Sequence, residues 1–175
     1  MKYYIGSDLG TSALKLLLVD IEGNVIKEIS RSYPVDFPNP GWSEQSPEKW
    51  WEAFMSGVKE LVEGIPSCDI VGIGSGGQMH GLVVLDQYDN VIRPAILWND
   101  GRTDKETEYL NTVVGKEKLS AYTANIAFAG FTAPKILWMK NQEPEKFEKI
   151  SKIMLPKDYI NYKLTGVHCT DYSDA

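Results

Sequence analysis

The chain has 175 residues, 43% of them hydrophobic and 24% charged, with 18 Lys and Arg against 24 Asp and Glu for a net charge of −6. That length supports one domain with a real core, and those fractions exclude an intrinsically disordered chain. The acidic balance excludes a general nucleic-acid surface, which needs clustered basic residues, but leaves room for a phosphorylated nucleotide at one local site. Cys68 and Cys169 form no disulfide framework and point to reduced thiols in a cytoplasmic protein. The N-terminus lacks the apolar run of a signal peptide, and the longest apolar runs, such as 16–19, are too short to cross a bilayer, so no membrane partner is expected.

In chain order, "YYI" at 3–5 is β-prone and runs into Gly6-Ser7-Asp8. "LGTS" supplies turn residues before a second, mostly buried strand, "ALKLLLVD" at 13–20. "IEGN" turns the chain, and "VIKEISRSY" at 25–33 alternates apolar and polar with period 2, placing Val25 and Ile29 on one face with Ile26 as an exception. The proline-rich "PVDFPNPGW" at 34–42 is a loop. Ser46 then serves as N-cap, with Pro47 at the first helical position. Trp50, Trp51, Phe54, Met55, Val58, Leu61, Val62 and Ile65 recur at helical spacing, which predicts an amphipathic helix over 47–63 with the tryptophans as core anchors rather than a ligand box.

A fourth core strand, "DIVGIGS" at 69–75, is followed by a small β insertion with a "DQYDN" turn at 86–90. Segments 103–114, 116–124 and 132–142 read as helices, the last with Pro134 in its first turn. "KIMLP" at 152–156 reads as a fifth core strand and "KDYINYKLTG" at 157–166 as a last helix with a glycine stop. The order describes an α/β protein with a mixed five-stranded core sheet flanked by helices. It is the order of the RNase H-like half found in the actin-like ATPases and sugar kinases. Trp50, Trp51, Phe54, Val58, Leu61, Ile73, Trp138 and Leu155 are expected to fill the core.

Three segments carry chemistry. In "DLGTS" at 8–12 a carboxylate closes one strand, and the turn residues Gly10, Thr11 and Ser12 can present backbone N–H groups and hydroxyls to phosphate oxygens. Asp8 can hold Mg²⁺ directly or through water, and Lys15 can reach the same phosphate. A plain hairpin is the alternative. In "GGQMHG" at 76–81 the glycines allow close approach of backbone to a ligand, Gln78 and His80 offer directional hydrogen bonds, and Met79 offers an adaptable apolar surface. That mixture suits a neutral polyol better than a highly charged anion; a polar loop with an incidental histidine is the alternative. In "LWNDGRT" at 97–103, Trp98 can cover the apolar face of a sugar, and Asn99 and Asp100 can bond hydroxyls. Asp100 or Thr103 can equally cap the next helix. His168 has no neighbouring ligand set, and no Cys/His metal cluster is present in the sequence.

Together these residues resemble the FGGY carbohydrate kinases along the whole chain. The resemblance rests on "IGSDLGTSALK" at 5–15, "WSEQSPEKWW" at 42–51, "GGQMHGLVVLD" at 76–86, "RPAILWNDGR" at 93–102, "GFTAPKILWMKNQEP" at 130–144, "LPKDYINYKLTG" and "TDYSDA". Met79-His80 with "LWND" is similar to the branch that phosphorylates D-xylulose; glycerol kinases carry an Arg-Glu pair at the first of these sites. The resemblance implies transfer of the γ-phosphoryl group of ATP to a sugar hydroxyl, giving D-xylulose 5-phosphate. It places Asp8 at Mg²⁺, Gly10, Thr11, Ser12 and Lys15 at the ATP phosphates, and Gln78, Met79, His80, Trp98, Asn99 and Asp100 at the sugar. It also implies that residues 1–175 are the N-terminal FGGY actin-like domain, with the rest of that domain, a second domain and the general-base Asp lying elsewhere. A homodimer is the expected assembly. Another FGGY sugar or polyol kinase, an actin-like nucleotide-binding lobe and a non-catalytic sugar-binding module are the alternatives.

Overall fold

The computed structural model describes residues 1–172 and 174, so the motif "TDYSDA" lies partly outside the described residues, at Ser173 and Ala175. The elements are β1 (Tyr3–Leu9), β2 (Ala13–Asp20), β3 (Val25–Ser32), β4 (Glu44–Gln45), α1 (Pro47–Leu61), β5 (Ile70–Gly77), β6 (Val83–Leu85), β7 (Ala95–Ile96), α2 (Asp104–Tyr109), a π-helical turn (Leu110–Gly115), α3 (Lys116–Thr123), α4 (Thr132–Gln142), α5 (Pro144–Phe147), β8 (Lys152–Met154) and α6 (Pro156–Thr165). They divide into two compact units. The first comprises Met1–Val35, Ser46–Gln78 and Pro156–Cys169; the second comprises Asp36–Gln45, Met79–Leu155 and Thr170–Ala175.

The first unit is built on a mixed sheet of order β3-β2-β1-β5. β1 pairs antiparallel with β2 and parallel with β5. The alternation read in the sequence puts Ile5, Leu9, Leu14, Leu16, Leu18 and Ile29 on one buried face. Full burial of such a side chain is worth about 1.5–3 kcal/mol. Helix α1 covers that face because Trp50, Ala53, Phe54, Gly57 and Leu61 fall on one side of it. A Cβ at Gly57 would stand 2.6 Å from Leu16 Cδ1, so the glycine lets the helix lie close on the sheet. Helix α6 packs on β5 and α1. The opposite face carries Tyr4, Asp8 and Lys15, all exposed, while β5 shows only Gly72, Gly74 and Gly76 there.

The α/β class and the mixed sheet stand, with four corrections. The core sheet has four strands among the described residues, because 152–154 pairs with β6 in a separate two-stranded ladder of the second unit. Val25 is 56% exposed: the register shifts between Leu18 and Val19, and a one-residue slip turns Val25 to the other face. Ile73, expected in the core, is 45% exposed on the edge strand β5. Ser46 precedes α1 as expected, but its hydroxyl bonds Glu48 at 2.7 Å and makes no side-chain cap.

The second unit packs α4 on short strands. Leu82, Val84, Ile96, Trp138 and Met139 form its buried core. Pairing of β4 with β7 forms a short ladder between the 34–42 loop and α1, with Glu44 opposite Ile96 and Gln45 opposite Ala95. Between these elements lies a buried ion network. Arg93 pairs with Glu44 and with Glu143 at 2.7 Å, and Arg102 pairs with Glu44 and Asp100 at 2.7 Å each. The Arg102 guanidinium lies 3.8 Å over the Trp42 ring, which in turn meets Trp138 edge-on at 5.3 Å. Each charge has a partner of opposite sign, as burial requires.

Candidate functional site

In the first unit, the β1–β2 turn is a tight hairpin. Gly10 N–H donates to Ala13 O at 3.1 Å, and a Cβ on Gly10 would sit 2.9 Å from that same oxygen. Behind the turn, the Tyr33 hydroxyl donates to Gly10 O, Gln78 N–H donates to Leu9 O at 2.8 Å, and Thr11 Oγ1 donates to Gln78 Oε1 at 3.1 Å. Gln78, expected at a sugar, thus supports the Thr11 turn in this unit. Asp8 and Lys15 are register partners across β1 and β2, on the exposed face just before the turn. Lys15 also pairs with Glu28 at 3.1 Å, both about half exposed. Such a surface pair is worth about 0–1 kcal/mol, so Lys15 can leave it at little cost. The fold therefore brings a carboxylate, an ammonium and the 10–12 turn to one end of one sheet face.

The partner of Asp8 on β5 is Gly76, which leaves open space beside the carboxylate. Among the described residues no group of three or more His, Cys, Asp or Glu can hold a metal ion unaided. A hard cation at Asp8 would bring its remaining oxygen ligands with it, which fits Mg²⁺ carried on phosphate and held by one carboxylate.

In the second unit the centre is His80. Its backbone is left-handed, φ 56°, in a residue that is not glycine. Two groups of α4 hold its carbonyl: Lys135 Nζ at 2.7 Å and Thr132 Oγ1 at 3.2 Å. The imidazole stacks on Phe131 at 4.1 Å, and Phe131 meets Phe128 at 5.1 Å. Burial lowers the His80 pKa, Asp174 at 4.0 Å opposes that shift and Lys135 adds to it, so the ring is neutral at pH 7. A neutral imidazole both donates and accepts a hydrogen bond. In the same unit Met79, Trp98 and Phe128 expose 45%, 44% and 47% of their surface, and Asn99 is exposed as well. His80 and Phe131 also line a cavity of about 450 Å³ whose other walls include Leu110, Leu119, Ile126 and Ile136.

Asp100 stands apart from these exposed groups. It is 2% exposed, and its carboxylate accepts from Ser43 N–H, Arg102 N–H, Arg102 Nε and Arg102 Nη2 at 2.6–2.9 Å. Four donors saturate two carboxylate oxygens. Neither Asp100 nor Thr103 caps α2 through its side chain; the Thr103 hydroxyl donates to Ala129 O at 2.8 Å and so holds the 128–131 loop.

Sequence reasoning passed over Lys135. Its side chain is fully buried, donates to the carbonyls of His80 and Gly130 at 2.7 Å each, and is pulled by burial to a pKa of about 7. The available signal was a lysine three and four residues before the buried pair Trp138 and Met139, on the inward stripe of α4. Glu44 and Arg93 were passed over as well, since their pairing links positions far apart in sequence.

Comparison with known proteins adds three findings. A family model described as the N-terminal domain of the FGGY family of carbohydrate kinases matches residues 3–175. The chain is 49% identical over its whole length to a xylulose kinase of Staphylococcus xylosus, and 44% identical over 98% of its length to one of Escherichia coli strain K12. It covers 36% and 35% of those two proteins, about a third of each. The crystal structure of xylulose kinase from Rhodospirillum rubrum superposes with a TM-score of 0.91 at 31% identity, over 97% of this chain and 36% of that one. No helix among the described residues is long and apolar enough to cross a membrane.

Proposed function

The chain belongs to the FGGY family of carbohydrate kinases, and on that premise we propose that it supplies sugar-facing and phosphate-facing residues to an enzyme that phosphorylates D-xylulose with ATP. The observation that carries the sugar assignment is the setting of His80. A neutral imidazole is stacked on Phe131, which in turn meets Phe128, and the same unit leaves Met79, Trp98, Asn99 and Phe128 exposed. A ketose offers the matching chemistry, hydroxyls for the imidazole and amide and C–H faces for the rings and thioether. The relatives named xylulose kinase are what select D-xylulose among such sugars.

In this reading His80 and Asn99 orient the sugar by hydrogen bonds, while Trp98 and Met79 exclude water from its carbon face. Asp100 acts one step back, holding Arg102 and the Ser43 N–H and thereby the 98–100 turn. In the first unit Gly10, Thr11 and Ser12 receive the ATP phosphates, Lys15 neutralises their charge, and Asp8 holds Mg²⁺. Bound there, Mg²⁺ supplies charge neutralisation on the phosphate oxygens. Phosphoryl transfer needs little else from the protein beyond in-line positioning and a group that takes the hydroxyl proton. We assign that proton acceptor to no residue of this chain, because Asp100 already accepts four hydrogen bonds; the longer relatives have room for it elsewhere. The same reading places the enzyme in the cytoplasm as a homodimer.

The test is ADP release by an enzyme of the relatives' length that contains this chain, with D-xylulose, other pentuloses, polyols and aldonates as acceptors. D-xylulose should give the highest kcat/KM. No turnover, or a preferred acceptor of another class, overturns the reading. His80→Ala should lower kcat/KM for the sugar by roughly 5- to 150-fold, the worth of about 1–3 kcal/mol for a lost hydrogen bond.

A further inference from the structure

Lys135 is fully buried, at 0% exposure, and neither the sugar nor the phosphates call for it. A lysine is rarely left in such a place without a partner. Here the partners are two main-chain carbonyls, His80 O and Gly130 O, each 2.7 Å from Nζ. These carbonyls belong to the two loops that carry His80 and Phe131, both of which line the cavity. One loop holds His80 in a left-handed conformation that costs a non-glycine residue energy unless its surroundings enforce it. The other carries Phe131, on which the imidazole rests. Gly130 itself lies so close to Trp98 that a Cβ would collide with the Trp98 carbonyl oxygen. We propose that Lys135 is a positioning residue: its terminal nitrogen joins the His80 carbonyl to the Gly130 carbonyl and so fixes the His80 imidazole against the 128–131 loop.

The chemistry of the joint is matched to this role. A neutral amine has two N–H groups and an ammonium three, so both carbonyls keep a donor in either protonation state. That matters because burial draws the group toward a pKa of about 7, with Asp100 opposing the shift and Arg102 adding to it. Thr132, one turn back on the same helix, adds a second donor to His80 O, so α4 acts as the fixed bar to which both loops are tied.

The inference rests on the functional reading only in its kinetic arm, so it is tested first without catalysis, by NMR on the 175-residue chain. In the wild type, the slowly exchanging Nζ protons of Lys135 should show scalar coupling to the carbonyl carbons of His80 and Gly130. Lys135→Met removes the donors at similar length. It should shift the amides of His80, Gly81, Gly130 and Phe131 and leave those of β1 and β2 in place. No coupling in the wild type, or unshifted amides in a folded variant, overturns the proposal; the wild-type measurement decides it if the variant does not fold.

The kinetic arm uses the full-length kinase. Lys135→Met should raise KM for the sugar at least tenfold while KM for ATP stays within twofold. In a His80→Ala background it should add less than threefold, because the two act through one imidazole. Equal effects in both backgrounds would reduce Lys135 to general stability and overturn the proposal. Absence of sugar turnover in the wild type itself would fall on the functional reading, leaving the NMR result to judge Lys135.

Discussion

At the scale of single residues, two charged states govern the proposed chemistry. His80 is held below its usual pKa of 6.5, chiefly by burial, so folded and unfolded chains differ in protons bound. Between the folded value and 6.5 the unfolded chain binds more protons, so stability is complete above that window and falls as pH drops through it. Function has the same sign: a protonated imidazole offers no acceptor to a hydroxyl. KM for the sugar should therefore rise as pH falls through the lowered His80 pKa, and a His80→Gln enzyme should lose that limb; pH profiles of kcat/KM decide, and an unchanged limb in the variant would assign it to another group. Asp8 makes a contrasting case. It belongs to the other compact unit and stands on the exposed face of its sheet beside Lys15 and Gly76. Asp8→Asn should lower kcat by 100-fold or more while sugar affinity, measured by calorimetry without ATP, stays within twofold. Weakened sugar binding with kcat intact would move Asp8 to the other site.

At the scale of elements, local pattern was legible and long-range pairing was not. The meander, α1 and α4 follow from periodicities of 2 and 3.6, and Trp50 lies fully buried where its spacing places it. The reversal of Val25 depends on a bulge that the alternation cannot show. The strand at 152–154 has the composition of a core strand, but its neighbour is β6, and pairing partners are not written in a single run of residues. The site divides the same way. "GGQMHG" and "LWND" stood out by residue type, whereas Lys135 looks like any helical lysine until α4 is packed, and the Glu44–Arg93–Glu143 network joins segments about 50 residues apart. The 128–131 loop shows what such hidden contacts do. Gly130→Ala would press a methyl group onto the Trp98 carbonyl, and the loop must retreat. The expected cost is about 1–3 kcal/mol of stability together with weaker sugar binding. Urea unfolding and calorimetry measure the two; a variant with wild-type values for both would show that the approach of the 128–131 loop to Trp98 has no bearing on the site.

For the whole molecule, the proposed phosphate residues fall in the first compact unit and most of the proposed sugar residues in the second, Gln78 excepted. Ligands should therefore leave separate footprints on the 175-residue chain. In amide hydrogen exchange, D-xylulose should protect 79–81, 98–100 and 128–135, and Mg-ATP should protect 8–15. A ligand at 100 times its Kd stabilises what it binds by about 2.7 kcal/mol. Two units need not melt as one, so the sugar can raise one transition and leave the other unmoved, an outcome that a single cooperative core would not permit. The same chain should bind without turning over. The buried cluster around Trp50, Phe54 and the β1–β2 leucines, and the separate core around Trp138 and Met139, give each unit its own apolar interior to fold around. On the proposed reading no residue of this chain takes the hydroxyl proton, since the Asp100 carboxylate is already saturated by Ser43 and Arg102. ADP release with D-xylulose and Mg-ATP should stay at the ATP-only background for this chain. Sugar-dependent turnover near that of a full-length xylulose kinase would mean that the proton acceptor lies within these 175 residues, and Asp100→Asn would then be the first variant to separate a structural carboxylate from a catalytic one.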